Sequence, residues 1–432
     1  MTITERMEQL KAGAYDSRLL EIYVDEAKLA YQRERYQKAA ASYQELFGPG
    51  EASVFSAAGR SEVGGNHTDH QQGMVLAASV NLDAIGVAAP IEEAVIRLKS
   101  EGYPMLTVDL HDLAKKDAEE GTSMALIRGM AQGLSEKGYR IGGFQAYVTS
   151  DVLGGAGLSS SAAFEVLVGT ILSGLYNEDQ ISMVEIAKTA QYAENVYFGK
   201  PCGLMDQMAC AVGGLIHIDF ADGKNPVIRQ VDVDFASYHH SLCITDTKGS
   251  HADLTDEYAA VPQEMTAVAN ALGHAVLREV SEPEFYARIP ELRKELGDRP
   301  VLRAIHFFAE ERRVAGQVDA LRRGEFEEFL SLIQSSGDSS FQFLQNVYAS
   351  RDVQNQAVSV GLAVSRQLLG AECGGKGAHG VCRVHGGGFA GTIQAFVADD
   401  FVEEYRRGLD AVYGEGSCHV LKVRPVGGTR VF

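Results

Sequence analysis

Apolar positions in the first fifty residues recur at helical spacing. Leu19, Leu20, Tyr23, Val24, Ala27 and Ala30 follow a helical period behind Asp16, a residue type that caps helices. After Lys38 an Ala-rich turn leads into Leu46, Phe47 and the breaker Gly48-Pro49-Gly50. Residues 1–45 are therefore expected to form a helical extension that packs on the body or serves oligomer contacts. From Ser53 to Leu110 the pattern becomes strand-like. Val54 and Phe55 precede a polar loop from Gly59 to Gly73. Val75 to Val87, Ala94 to Leu98 and Met105 to Val108 have strand composition, the last two joined by a turn at Glu101-Gly102. A helix is predicted over Thr122 to Lys137 and a strand over Phe144 to Val148. A stretch rich in glycine and serine, Ser150 to Val166, follows and leaves as an Ala/Val/Leu helix.

Met183 to Tyr197 reads as a helix ending at Gly199-Lys200-Pro201, and Gly214 to Phe220 as a strand. Beyond Asp234 strands alternate with long helices. Ser241 to Thr245 is strand-like and Arg303 to Arg322 helical. The chain closes with a strand at Val381 to Val384, a second strand to Val397, a helix near Phe401 to Val412 and a strand at His419 to Arg424. This order, without strict βαβα alternation, predicts an α+β fold. The expected division is 1–45, 46–235 and 236–432, the two larger parts packing with a cleft between them.

The 432 residues suffice for two or three domains, and 45% hydrophobic with 22% charged residues is ordinary for a soluble globular chain. MTITERMEQLK has no apolar signal core, and no apolar run reaches about 18 residues, so a cytoplasmic protein is expected. A net charge of −19 argues against nucleic acid and membranes as partners; an anionic substrate then needs a local cationic site. The six cysteines lack CxxC spacing, which argues against a zinc site or a disulfide framework. Oligomeric state is not legible.

Four segments concentrate chemistry. In Ser150 to Val166, glycines let the backbone approach an anion, and the first helical turn offers free N–H groups and a favourable dipole. It is neither GxxxxGK[ST], for want of a lysine, nor GxGxxG, whose third glycine is a serine here. A tight turn with Ser159 as helix cap is the alternative reading. The polar loop holds Arg60, Asn66, His67, Asp69 and His70, which suits a polyhydroxylated ligand; a solvated loop, or a metal site at His67, Asp69 and His70, is the alternative. Asp206, flanked by Leu204, Met205 and Gln207, could poise a hydroxyl for attack or cap a helix. Gly386, Gly387 and Gly388 bare the backbone for a ligand or a crossing loop.

Taken in order, the four resemble one family. SAAGRSEVGGNHTDHQQG resembles the galactokinase sugar signature, VLGGAGLSSSAAFEV its nucleotide loop, AENVYFGKPCGLMDQMA its catalytic segment and RVHGGGFAGTIQAF its C-terminal glycine motif. Secondary matches at Asp256-Glu257-Tyr258, at RAIHFFAEERRV and at the terminal GGTRV extend the resemblance over Leu46 to Val431. It implies the two-domain GHMP kinase fold, with an N-terminal domain like ribosomal protein S5 domain 2, a ferredoxin-like C-terminal domain, and ATP and sugar meeting in the cleft. It also implies an ATP-dependent sugar 1-kinase. Gly155, Ala156, Gly157, Leu158, Ser159, Ser160 and Ser161 would wrap the ATP phosphates, and Ser161 and Glu194 would bind Mg²⁺. Asp206 would be the catalytic base and Arg60 the cation stabilising the transition state. Asn66, His67, Thr68, Asp69, Gly203 and Tyr258 would contact the sugar, with Gly386 to Gly388 in support.

Two departures bear on the sugar. Galactokinases carry Glu-His-Thr-Asp-Tyr where this chain reads Asn66-His67-Thr68-Asp69-His70, and the family's Val-Asn-Leu-Ile is Ser61-Glu62-Val63-Gly64 here. The arginine pair that usually follows the Glu-Tyr match is also absent after Tyr258. Galactose is the expected substrate, with galacturonate or another modified galactose as the alternative, since asparagine tolerates a C6 carboxylate that glutamate would repel. A sensor that binds ATP and galactose without turnover, and a metal-dependent hydrolase, are the readings from other classes.

Overall fold

The computed structural model spans residues 1–432 and describes all of them except Leu153, Gly155, Ala156, Lys224, 250–253 and 372–375, together with the side chain of Ala236. Three helices open the chain: α1 (Ile3–Lys11), α2 (Asp16–Tyr23) and α3 (Leu29–Phe47). The period expected to run unbroken from Leu19 to Ala30 is interrupted at Val24, whose left-handed φ of 49° ends α2. Asp16 is the first helical residue and pairs with Arg33 instead of capping. The segment after Lys38, expected as a turn, continues α3, because alanine favours helix and Ala39, Ala40 and Tyr43 bury in one core with Val54, Ile85 and Tyr147.

The first sheet contains β1 (Ser53–Gly64), β2 (Met74–Pro90), β3 (Val95–Ser100) and β4 (Met105–Asp109). After α4 (Ser123–Glu136) come β5 (Phe144–Ser150), α5 (Ser160–Tyr176), α6 (Met183–Tyr192) with a π-helical turn (Ala193–Phe198), and α7 (Met205–Val212). Two short strands, β6 (Leu215–Asp219) and β7 (Val227–Val231), complete this half; the mostly exposed β7 has no clear apolar alternation and was not anticipated. The long strand β2 pairs with β6 through its first residues and with β5 through its last, so one strand carries two neighbours on the same edge. Helices α5 and α7 pack on β1 and β2.

The polar loop expected from Gly59 to Gly73 is shorter in the structure. Arg60, Ser61 and Glu62 belong to β1, and β1 is buried from Val54 to Gly64. Local polarity suggested a loop; in the fold Arg60 faces Asp206 and Gly157 in the same half, while Ser61 and Glu62 face His385, Gln394 and Arg383 in the other.

The second half begins with β8 (His240–Asp246) and continues through α8 (Thr255–Ala271), α9 (Glu282–Leu296), α10 (Asp298–Arg323), α11 (Phe326–Ser339) and α12 (Ala357–Leu369). It closes with β9 (Gly380–His385), β10 (Thr392–Ala398), α13 (Val402–Tyr413), β11 (Cys418–Leu421) and β12 (Thr429–Arg430). The second sheet is antiparallel in the order β11, β8, β10, β9, whereas β12 returns to pair with β1. The α+β class is therefore as expected. Among the described residues five cysteines are free thiols, and no helix is long and apolar enough to cross a membrane.

Candidate active site

Arg60 stands in the middle of β1, where the heads of α5 and α7 converge. Its Nε donates to Asp206 Oδ1 at 2.7 Å and its Nη2 to Asp206 Oδ2 at 2.9 Å, a two-pronged pair that fixes the carboxylate plane. A third donor, Nη1, reaches the Gly157 carbonyl. Asp206 lies in the first turn of α7, with Leu204 at the cap position, so the capping role left open by the sequence does not arise. Ser159 occupies the cap position of α5 in a left-handed conformation, yet its hydroxyl accepts no N–H of its own helix and donates instead to Asp206.

Burial pushes the Asp206 carboxyl up, but the charge and hydrogen bonds of Arg60, with the Ser159 hydroxyl, outweigh it and hold the group below its ordinary value. The result is an ionised carboxylate whose side chain remains 36% exposed, backed by an arginine that is only 8% exposed. Gly157 is left-handed, and a Cβ there would come within 2.8 Å of Thr392 Oγ1, so the backbone of the Gly/Ser segment passes closely against β10 at this point. Leu158 is buried, while Ser160 and Ser161 form the first turn of α5 and are half-buried. Gly155 and Ala156 lie outside the described residues.

The remaining polar loop, 65–73, is anchored by α10. Glu310 Oε1 accepts the Gly65 N–H at 3.0 Å and Glu311 Oε1 the Met74 N–H at 2.6 Å, so adjacent glutamates hold its two ends. Thr68 is fully buried, and its hydroxyl sits between the Gly65 and Met74 carbonyls, which makes it a loop brace. Burial pulls His67 down to about 4, leaving it neutral; because its Nε2 faces the Gly387 carbonyl at 3.0 Å, Nε2 carries the proton. Asp69 lies against Gly203, where any Cβ would overlap its carboxylate. Tyr258 donates to the Gly388 carbonyl at 2.7 Å and packs edge-on against Phe389.

Asn66 differs from expectation. Its side chain is fully buried and saturated: Nδ2 donates to Glu62 at 2.9 Å and to the Gly386 carbonyl at 2.7 Å, and Oδ1 accepts from Asn346 at 2.8 Å. It brackets the two halves and does not present its amide to the cleft. Glu62 is held in turn by Arg383 Nη2 at 2.6 Å, and Arg383 also donates to the Val63 carbonyl. Gln394 and His385 complete the seam through the Ser61 hydroxyl. None of Glu62, Asn346, Arg383, His385 or Gln394 was identified from sequence. Arg383, His385 and Gln394 show only polarity inside strand-like runs, Glu62 fell in the expected polar loop and Asn346 lies outside any strand, and the partners they take in the other half lie hundreds of residues away.

Glu194 lies in the π-helical turn, a wide turn that recurs at functional sites, and is 4% exposed. Gln207 Nε2 donates to it at 2.7 Å, and Lys200 Nζ lies 3.5 Å from its other oxygen. Glu165, one turn beyond Ser161 on α5, is fully buried with Oε1 unpartnered, and Gln207 Oε1 is unpartnered too. Burial and the nearby Glu194 charge push Glu165 well up. Acceptor oxygens without donors beside Glu194 suit a cation. Among the described residues no group of three or more His, Cys, Asp or Glu is arranged to hold a metal. Mg²⁺ needs no such cage, since it is commonly bound by one or two carboxylates together with substrate phosphates and water.

Comparison with known proteins agrees with this geometry. Residues 125–214 match the GHMP kinases N terminal domain, and residues 41–90 the galactokinase galactose-binding signature. A galactokinase of Limosilactobacillus reuteri (strain DSM 20016) is 27% identical over 390 residues, covering 87% of this chain and 94% of that protein. One from Streptomyces coelicolor is 28% identical over 395 residues, covering 90% and 96%. The crystal structure of Lactococcus lactis galactokinase complexed with galactose superposes with a TM-score of 0.75 at 26% identity, covering 90% of this chain and 98% of that one. A mevalonate kinase from L. major, at 15% identity and a TM-score of 0.58, shares the fold. The chain has the GHMP kinase fold and is similar, over most of its length, to curated galactokinases.

Proposed function

We propose that the protein is a galactokinase, which transfers the γ-phosphoryl group of ATP to the anomeric hydroxyl of galactose to give galactose 1-phosphate and ADP. The observation that carries this reading is the Arg60–Asp206 fork, set at the heads of two helices and in reach of Ser159 and Gly157. Residues 46–235 and 236–432 form the two walls of the cleft. The anomeric O–H gives its proton to the ionised Asp206 as its oxygen attacks the γ-phosphorus, and the bond from that phosphorus to the ADP oxygen breaks. Arg60 keeps Asp206 ionised and places a cation beside the developing charge. Free N–H groups and the dipole at the head of α5 favour phosphate there, with Gly155 to Ser161 along the phosphate chain. Ser161 and Glu194 would hold Mg²⁺, which neutralises phosphate charge when bound. Asp69, Gly203 and Tyr258 face the sugar, and His67 does so while tied to Gly387. Asn66 and Thr68 shape the loop that carries them. A cytoplasmic location goes with ATP as the donor.

One observation favours a second substrate. The carboxylate that galactokinases place at position 66 is replaced by Asn66, and the carboxylate bonded to that amide, Glu62, is paired to buried Arg383. That arrangement tolerates a C6 carboxylate, so galacturonate is the alternative to galactose. ADP release with galactose, galacturonate and N-acetylgalactosamine, each with ATP, discriminates the readings. Galactose is expected to be turned over fastest; strong galacturonate preference replaces the first choice, and no sugar-dependent ADP release leaves a non-catalytic sensor. Asp206→Asn is expected to lower kcat by roughly 10²-fold or more, the range of general-base catalysis. A variant retaining most of the wild-type kcat would remove Asp206 from the role of base.

A further inference from the structure

The segment between β5 and α5 is tied down at both ends, and the ties come from different parts of the chain. At its trailing end the Leu158 carbonyl accepts the Arg60 N–H at 3.1 Å, the Gly157 carbonyl accepts the Arg60 guanidinium, and Ser159 donates to Asp206. These ties belong to the catalytic pair. At its leading end stands Asp151, whose N–H donates to the Asp83 carbonyl at 2.9 Å. Its carboxylate receives the Tyr31 hydroxyl, at 3.0 Å from each oxygen, and Oδ2 lies 3.3 Å from Arg35 Nε.

Tyr31 and Arg35 are four residues apart on α3 and so share a helix face. Both precede residue 41, where the galactose-binding match begins. Arg35 is 7% exposed and cannot swing away freely, because its Nη1 pairs with the Asp83 carboxylate at 2.5 Å and its Nη2 donates to the Asp83 carbonyl at 2.7 Å. Asp83 has no exposed surface and also takes Arg424 Nη1 at 2.9 Å and the Tyr23 hydroxyl at 2.7 Å. The first sheet, the C-terminal strand region and the N-terminal helices therefore meet in one buried ion network, and Asp151 is its outlet toward the nucleotide segment.

We infer that the N-terminal extension is a brace for the nucleotide segment, with Tyr31 and Arg35 acting through Asp151 as a positioning residue for ATP. The inference rests on the reading of that segment as the ATP loop. A segment whose ends are fixed before the ligand arrives loses less freedom on binding, so the brace acts on nucleotide affinity and leaves sugar affinity alone. Arg35 is unsuitable for the test, since removing it also strips a buried carboxylate of its partner. Tyr31, which is 49% exposed, and Asp151 are suitable.

The experiment measures the ATP and galactose KM, the calorimetric Kd for ATP and the Tm for the wild type, Tyr31→Phe, Asp151→Ala and the double variant of the full chain. Each single variant is expected to weaken ATP binding by about 2- to 10-fold, the effect of one or two hydrogen bonds, with the galactose KM unchanged. Tyr31→Phe is expected to add nothing once Asp151 is alanine, because both remove the same contact. Unchanged ATP affinity in Asp151→Ala, or a galactose KM that rises as much as the ATP KM, overturns the brace. A wild-type protein that binds no ATP overturns the ATP-loop reading as well, so the two failures are distinguishable.

Discussion

Arg383→Met tests the seam on which the cleft is built. Arg383 has no exposed surface, and its Nη2 lies 2.6 Å from Glu62, whose side chain is 6% exposed. Removing the guanidinium leaves Glu62 buried with only the Asn66 amide and strands the Val63 carbonyl. Breaking a buried pair from one side costs about 3–5 kcal/mol, a large part of the roughly 5–15 kcal/mol that separates folded from unfolded chains. For a domain of this size that corresponds to a fall in Tm of roughly 10 °C. Burial already pushes the Glu62 carboxyl up despite the opposing Arg383 charge and Asn66 hydrogen bond, so without Arg383 it rises further. A carboxyl raised in the folded state holds its proton there; stability is full below 4.5, the unfolded value, and is lost as pH climbs through the folded value. The variant should therefore lose less stability at pH 5 than at pH 8, by about 1.4 kcal/mol for each pH unit by which its folded value exceeds that of the wild type within this window.

The assay is thermal unfolding at both pH values, together with the galactose KM, which should rise because Glu62, no longer held by Arg383, positions Asn66 and loop 65–73 less firmly. Adding Glu62→Gln removes the stranded charge while keeping an acceptor for Asn66, and should recover at least half of the lost Tm. A fall in Tm below about 2 °C for Arg383→Met, under 1 kcal/mol on this scale, would refute the reasoning, as would a double variant no more stable than the single one.

Gly203→Ala places a Cβ onto the Asp69 carboxylate, so it is expected to raise the galactose KM by about tenfold, near 1.4 kcal/mol, while ATP binding stays as in the wild type. Equal losses for both substrates would mean that Gly203 is not a sugar-side position. Asp206 is held below its ordinary value of 3.8, so it stays ionised down to that pH, and its protonation should not limit kcat/KM for galactose anywhere above about pH 5. An acid limb with a midpoint near 6 that disappears in Asp206→Asn would show the carboxyl to be raised instead.

Where a residue's role depends on its immediate neighbours, the sequence carried it. The glycines and serines of Gly154 to Ser161, the helix head that follows them and the Gly386 to Gly388 turn are local features, legible from composition and spacing. Arg60 and Asp206, placed in one site through the resemblance, meet as a two-pronged contact. Asn66 shows the opposite case. Its neighbours gave it the look of a ligand contact, yet Glu62, Gly386 and Asn346 consume its hydrogen bonds. The same gap explains β1, where the polarity of Arg60, Ser61 and Glu62 suggested a loop.

By itself the sequence determined the α+β order and the order of the four motifs, because hydrophobic period and glycine placement act over a few residues; the kinase chemistry came from the resemblance those motifs carry. Only the tertiary structure decided which polar groups remain free. Arg383 reaches Glu62 across 321 positions and Arg424 reaches Asp83 across 341, and each of these charges is buried and paired. A buried charge must find a partner or lose its proton, and a pattern of neighbours along the chain holds no record of which distant residue supplies it.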